Sequence, residues 1–160
     1  MLEGGDELVR RQQGLMVTPG NPLGIQGLED LIDKQARFIN RQAGSGTRVL
    51  LDYRLAELDL AAGRINGYEN EEYTHMSVAI AVKSGAADAG LGILAAARAL
   101  GLEFVPVVTE EYDLVIPEPF WELPGIRVLR QVIQSSAFTD RVSRLGGYDN
   151  ADTGRIITLP

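Results

Sequence analysis

The stretch Asn40-Arg41-Gln42-Ala43-Gly44-Ser45-Gly46-Thr47-Arg48 collects residue types suited to holding an anion. It follows a short apolar run, Ala36 to Ile39, that reads as a strand. It precedes Val49 to Leu58, where apolar residues recur at three- and four-residue steps. The pattern predicts a strand-to-helix turn, with the helix running from about Ser45 to Leu58. The first N–H groups of a helix lack internal acceptors and sit at the positive end of its dipole. Gly44 and Gly46 leave those groups open to a ligand, Ser45 and Thr47 add hydroxyls, and Arg41 and Arg48 add charge if they turn inward. An oxyanion suits such a turn. A flexible loop with a Ser or Thr N-cap accounts for the same residues without a ligand. The stretch lacks the Lys of a G-x-x-x-x-G-K-[ST] loop, and Leu50 and Leu51 sit where a dinucleotide loop could place its third glycine.

Two further turns have similar character. Thr74, in Glu71-Glu72-Tyr73-Thr74-His75, is a good N-cap for a helix over Met76–Lys83, which Ser84-Gly85 would stop. Ala87 to Ile93 reads as a buried strand running into a tight turn, followed by a helix over Leu94–Leu100 that Gly101 ends. Three strand-to-helix turns result, at Gly44–Thr47, Tyr73–His75 and Gly90–Ile93. Around them the chain predicts strands at Leu8–Val17, Ile65–Tyr68, Phe104–Val108 and Tyr112–Ile116. It predicts helices at Leu28–Asp33, Gly125–Gln134 and Ala137–Leu145, with Thr18-Pro19-Gly20-Asn21-Pro22 as a turn. Alternating strands and helices mean crossover units and a largely parallel sheet. Such sheets bind ligands at the carboxyl ends of their strands, beside helix starts.

Each residue has a structural reading beside the functional one. Arg48 reaches the anion or stands as a solvated helix residue. His75 donates to a ligand or only satisfies the helix start. Tyr73 lines a cleft or packs with its hydroxyl satisfied. Glu71 and Glu72 read as a solvated loop, because carboxylates oppose an anion site. Asp88 reads as a turn tether or a helix cap, and Phe120 and Trp121 as packing for the carboxyl-terminal helices.

Composition narrows the classes. The chain has 160 residues, 45% hydrophobic and 23% charged, enough for one domain with a core. The formal net charge is −7, with no clustered Lys and Arg, which argues against binding nucleic acid or a membrane surface. An anion must then be held by local amides and one or two Arg against the global charge. With no cysteine and one histidine, neither a thiolate nor a His-rich metal site is expected. The acidic start, Met1 to Glu7, lacks the pattern of a secretory signal, and no apolar run approaches the roughly 18 residues that span a bilayer. A cytoplasmic location is the expectation.

Four motifs in order resemble a known family: Asn-Arg-x-x-Gly-Ser-Gly-Thr-Arg at 40–48, Glu-Tyr-Thr-His at 72–75, Ser-Gly-x-Ala-Asp-x-Gly-Leu-Gly-Ile at 84–93 and Leu-Gly-Gly-Tyr-Asp at 145–149. Together they look like a periplasmic-binding-protein-like domain, in the branch found fused to molybdopterin-biosynthesis proteins or winged-helix regulators. The chain is similar to molybdate- and tungstate-binding proteins and, more distantly, to effector domains of LysR-type regulators. The resemblance runs from about Gln13 to Thr153. It implies an α/β, type II binding-protein fold of two lobes joined by crossing strands. It places 1–160 in a single partial domain, with an intact lobe over 19–110 whose sheet is mixed and mostly parallel. A hinge strand and the helices of an incomplete other lobe follow over 111–160. Gly14–Thr18 and Asp113–Ile116 are the expected hinge strands.

The resemblance also implies an oxyanion clamped by hydroxyls and amides. Carried over residue by residue, it offers Ser45, Gly46, Thr47 and Arg48 at the first turn, Thr74 and His75 at the second, and the amide of Ile93 at the third. The implied function is a small-ligand sensor or carrier for molybdate or tungstate, tied to molybdopterin biosynthesis or its regulation. No catalysis, metal site or other cofactor is expected. An effector domain for an organic acid or a pterin-like molecule is the alternative. An enzyme using Ser45 and His75 as nucleophile and base lacks a third member. Expected partners are a small anion and, on the truncated side, a second copy or a partner lobe.

Overall fold

Leu15 and Val17 leave their strand on one side and Met16 on the other, and all three are buried. A strand buried on both faces belongs inside a sheet. That is where β1 (Gly5–Val17) lies in the computed structural model, which describes residues 5–157. In chain order there follow α1 (Glu29–Asp33), β2 (Phe38–Arg41), α2 (Gly46–Glu57), β3 (Glu71–Glu72), α3 (His75–Lys83) and β4 (Ala89–Ile93). Then come α4 (Leu94–Ala99), β5 (Glu103–Val115), α5 (Pro124–Ile133), α6 (Ser136–Leu145), β6 (Tyr148–Asp149) and β7 (Ile156–Ile157). The chain divides into two compact units, one over Gln12–Val108 and one combining the chain before Gln12 with the chain after Val108.

In the first unit the strands lie in the order β3-β2-β4-β1-β5. β2 runs parallel to β3, with Asn40 opposite Glu71, and parallel to β4, with Phe38 opposite Ala89. β4 runs antiparallel to β1, from Gln13 opposite Ile93 to Val17 opposite Ala89. The sheet is therefore mixed, and the unit is α/β. One core cluster joins Leu15, Val17, Phe38 and Leu91 of the sheet to Leu31 of α1 and Leu51 and Leu55 of α2. A second cluster joins Met16 to Val78 and Val82 of α3 and Ala96 and Ala97 of α4. Helices thus cover both faces. Gly90 is small for a packing reason: a Cβ there would lie 2.4 Å from Val78 Cγ1.

In the second unit the amino-terminal part of β1 pairs antiparallel with β6, Arg11 opposite Tyr148, and with β7, Asp6 opposite Ile156. Arg11 Nε donates to Glu110 at 2.8 Å and its guanidinium stacks on Tyr112 at 4.6 Å. Arg10 pairs with Glu111 at 2.9 Å and with Asp152 at 3.3 Å. Ile116 and Ile133 are buried here.

Three expectations shift. The strand predicted at Ala36–Ile39 begins two residues later, because Gln35 takes a left-handed φ of 51° and turns the chain. The residues predicted as a strand at Ile65–Tyr68 form turns instead, around Gly67 at φ 90°. The two strands predicted on either side of Thr109-Glu110-Glu111 are one continuous β5. The acidic pair that reads as a break is held in the strand by Arg11 and Arg10.

Candidate functional site

β3, β2 and β4 are adjacent and parallel, so their carboxyl ends share one edge of the sheet. α2, α3 and α4 begin directly after them. The three predicted turns therefore come together along that edge, within the Gln12–Val108 unit.

The first turn is built by hydrogen bonds to its neighbours. Gln42 N–H donates to the Glu72 carbonyl at 3.1 Å and Ala43 N–H to Glu71 Oε1 at 3.0 Å. Gly44 supplies the positive φ, 83°, that turns the chain into Ser45. Ser45 is extended and caps α2, its hydroxyl accepting from Arg48 N–H at 3.2 Å. Among the described residues, no atom lies within 4 Å of where a Cβ on Gly44 or Gly46 would stand, apart from chain neighbours and the helix itself. Thr47 is buried on the inner side of α2, one turn before Leu51.

The second turn is a capping box. Thr74 Oγ1 accepts from Ser77 N–H at 2.9 Å, and Ser77 Oγ accepts from Thr74 N–H at 3.1 Å. His75 is the first residue of α3 and half-buried. At the third turn Ile93 is extended and leads into α4 without a side-chain cap. A Cβ on Gly92 would stand 3.4 Å from His75 Nδ1, so the second and third turns touch. The first and second are tied by Arg41, whose guanidinium donates to the Tyr73 carbonyl at 3.1 Å.

Arg48 does something the sequence left open. It is buried, and its Nη1 donates to Glu71 Oε1 at 3.0 Å and to the Arg41 carbonyl at 3.2 Å. Its Nε donates to the Tyr68 hydroxyl at 3.2 Å, and the guanidinium stacks on the Tyr68 ring at 4.1 Å. Burial works against the charge, but Tyr68, Asp52 and Glu71 outweigh it and raise the pKa above its ordinary value. Tyr68 donates to Asp52, and burial with that bond raises the Tyr68 pKa as well. Glu71, read from sequence as a solvated carboxylate, is instead the hub that holds Arg48 and the Ala43 amide. Tyr73 is 73% exposed, so it does not pack in the interior. Asp88 is a tether: its carboxylate accepts from the Arg37 backbone N–H at 2.8 Å and from the Arg37 guanidinium at 2.7 Å.

Sequence reasoning passed over Tyr68 and Gln13. Gln13 is fully buried beside Ile93 in β1. A glutamine in the alternation Gln13-Leu15-Val17, where an apolar residue is due, was the available signal. No group of three His, Cys, Asp or Glu able to hold a metal occurs among the described residues.

A sheet edge that gathers helix starts and hydroxyls in this way characterises a small-ligand-binding domain. Residues 7–134 match the PBP-like family, a PBP superfamily domain, and the chain belongs to that family. It is 37% identical over 150 residues to the uncharacterized protein YvgK of Bacillus subtilis (strain 168), covering 94% of this chain and 48% of YvgK. The chain thus spans about half the length of that relative. Among solved structures it resembles the substrate-binding domain of a putative molybdenum ABC transporter from Clostridium difficile, with TM-score 0.64 and 15% identity over 91% of this chain and 66% of that one. It also resembles PEB3, a Campylobacter jejuni protein, in its L-phospholactate-bound form, with TM-score 0.63 and 17% identity over 90% of this chain and 67% of that one. These likenesses show the fold, which is that of substrate-binding proteins. No helix among the described residues is long and apolar enough to cross a membrane.

Proposed function

We propose that the chain is a cytoplasmic sensor or carrier domain for a tetrahedral oxyanion, molybdate or tungstate first, without catalysis of its own. In this reading it serves molybdopterin biosynthesis or its regulation. The observation that carries the reading is the shared edge. Three parallel strands deliver three helix starts to one place, and space is open around Gly44 and Gly46. Amides at helix starts give short, charge-assisted hydrogen bonds in fixed geometry. Gly46, Thr47, His75 and Ile93 contribute amides, and Ser45, Thr47 and Thr74 contribute hydroxyls. Arg48 acts behind the site, holding the first turn through Glu71. The molybdenum transporter domain among the structural neighbours supports this choice of ligand.

A second reading is an effector domain for a small organic acid. The L-phospholactate in the related PEB3 structure favours it. Helix-start amides hold a carboxylate or a phosphate ester by the same bonds.

The test is a thermal-shift titration of the protein with molybdate, sulfate, phosphate and L-phospholactate, repeated on the Ser45→Ala/Thr47→Ala double variant. Molybdate is expected to raise the melting point selectively, by a stabilisation of about 2.7 kcal/mol at about 100 Kd, and the variant to lose the rise. A rise with L-phospholactate alone selects the second reading. No rise with any of the four overturns both.

A further inference from the structure

We infer that Gln13 is a ligand-binding residue of the same edge, donating its side-chain N–H to the bound oxyanion. The inference rests on the oxyanion reading proposed above. Gln13 is 0% exposed, and neither its Nε2 nor its Oε1 finds a hydrogen-bond partner among the described residues. Burying both ends of an amide unsatisfied is costly, and native interiors almost always supply a partner.

The placement identifies the partner. Gln13, Leu15 and Val17 alternate along β1, so their side chains leave the sheet on one face. Leu15 and Val17 pack in the cluster that contains Leu51 and Leu55 of α2. Gln13 therefore lies on the α2 face. It stands opposite Ile93, the last residue of β4, at the carboxyl edge and one step beyond the core. On α2, Thr47 lies one turn before Leu51 in the same direction, and it too is buried. So a buried hydroxyl and an unsatisfied buried amide stand where the core ends and α2 begins. Both are polar in positions whose strand and helix neighbours are apolar. An oxyanion seated on the α2 amides accepts from Gln13 Nε2, and Gln13 Oε1 accepts from a water held with it. A primary amide has no charge, so it adds a hydrogen bond without adding to the field that a net charge of −7 opposes.

The experiment is calorimetry of the full-length protein and its Gln13→Met variant with sodium molybdate, with sodium sulfate as control. In parallel, the Gln13 side-chain amide resonances of the wild type are followed through the same titration. Methionine keeps the length and removes both orphaned atoms. The ligand-free variant is expected to melt at or above the wild type, and its molybdate Kd to weaken about tenfold or more. The Gln13 resonances are expected to shift with saturation. Wild-type binding that Gln13→Met leaves unchanged, or with Gln13 resonances that stay still, overturns the assignment and leaves the oxyanion reading intact. If the variant does not fold, the wild-type resonances decide. A wild type that binds no oxyanion overturns the oxyanion reading and the assignment with it.

Discussion

Arg48 of α2 and Glu71 of β3 bind one another, and the pair explains why this turn has a fixed shape. Arg48 is 8% exposed, so removing its charge leaves Glu71 and the Tyr68 hydroxyl short of a partner. Arg48→Met is expected to lower unfolding free energy by about 2–3 kcal/mol. Arg48→Met with Glu71→Gln should cost less than the two single changes added, because both single changes break the same ion pair. Urea denaturation of the four proteins measures both. Asp88 makes a prediction in pH. Hydrogen bonds from the Arg37 guanidinium and backbone outweigh burial and hold its carboxyl below the usual aspartate value. A carboxyl depressed in the folded state stabilises above its unfolded pKa, about 3.9, and the contribution fades as pH falls through the lower folded value. Asp88→Asn is therefore expected to be less stable at pH 7 and to lose less than wild type on going below about pH 4. Melting points across pH 2–7 check this. At this scale the sequence was legible for small turn residues and for the Asp88 tether. It was not legible for Arg48, because the choice between ligand and Glu71 depends on a residue 23 positions away.

Helices were the most legible elements. α2, α3, α5 and α6 lie within one or two residues of their predicted bounds, since apolar spacing and caps are local signals. Strand extent was less legible. β5 is continuous through Thr109-Glu110-Glu111 because of arginines on β1, and no local pattern records them. The edge site shares this character: each turn could be read alone, but their convergence required the pairing of β2 with both β3 and β4. The capping box gives the element-scale prediction. Thr74→Ala removes the acceptor for Ser77 N–H and should destabilise by about 1 kcal/mol, read by urea denaturation. Thr74→Ser keeps the acceptor and should restore most of the loss.

For the whole molecule, the distribution of apolar surface is uneven. The Gln12–Val108 unit buries aliphatic residues in two clusters, while Val49 and Ile80 stay exposed on its helices. α5 exposes Val128 at 57% and Val132 at 50%, one turn apart, with Leu129 beside them. An exposed apolar strip of this kind favours self-association. Sedimentation velocity should then show concentration-dependent association of the isolated chain. Val128→Lys with Val132→Lys should abolish it, and a monomer at every concentration would count against self-association through this strip.

The two units differ in one further respect, which follows from Gln12–Val108 being a single uninterrupted stretch while the other unit is assembled from both sides of it. During synthesis the uninterrupted stretch can fold once Val108 has cleared the ribosome. The other must wait for the far end of β5 and then for β6 and β7, whose residues lie about 140 to 150 positions after their partners on β1. Translation-arrested chains just long enough for Val108 to have cleared the ribosome should already resist protease across Gln12–Val108, while Leu8–Arg11 stay open to cleavage.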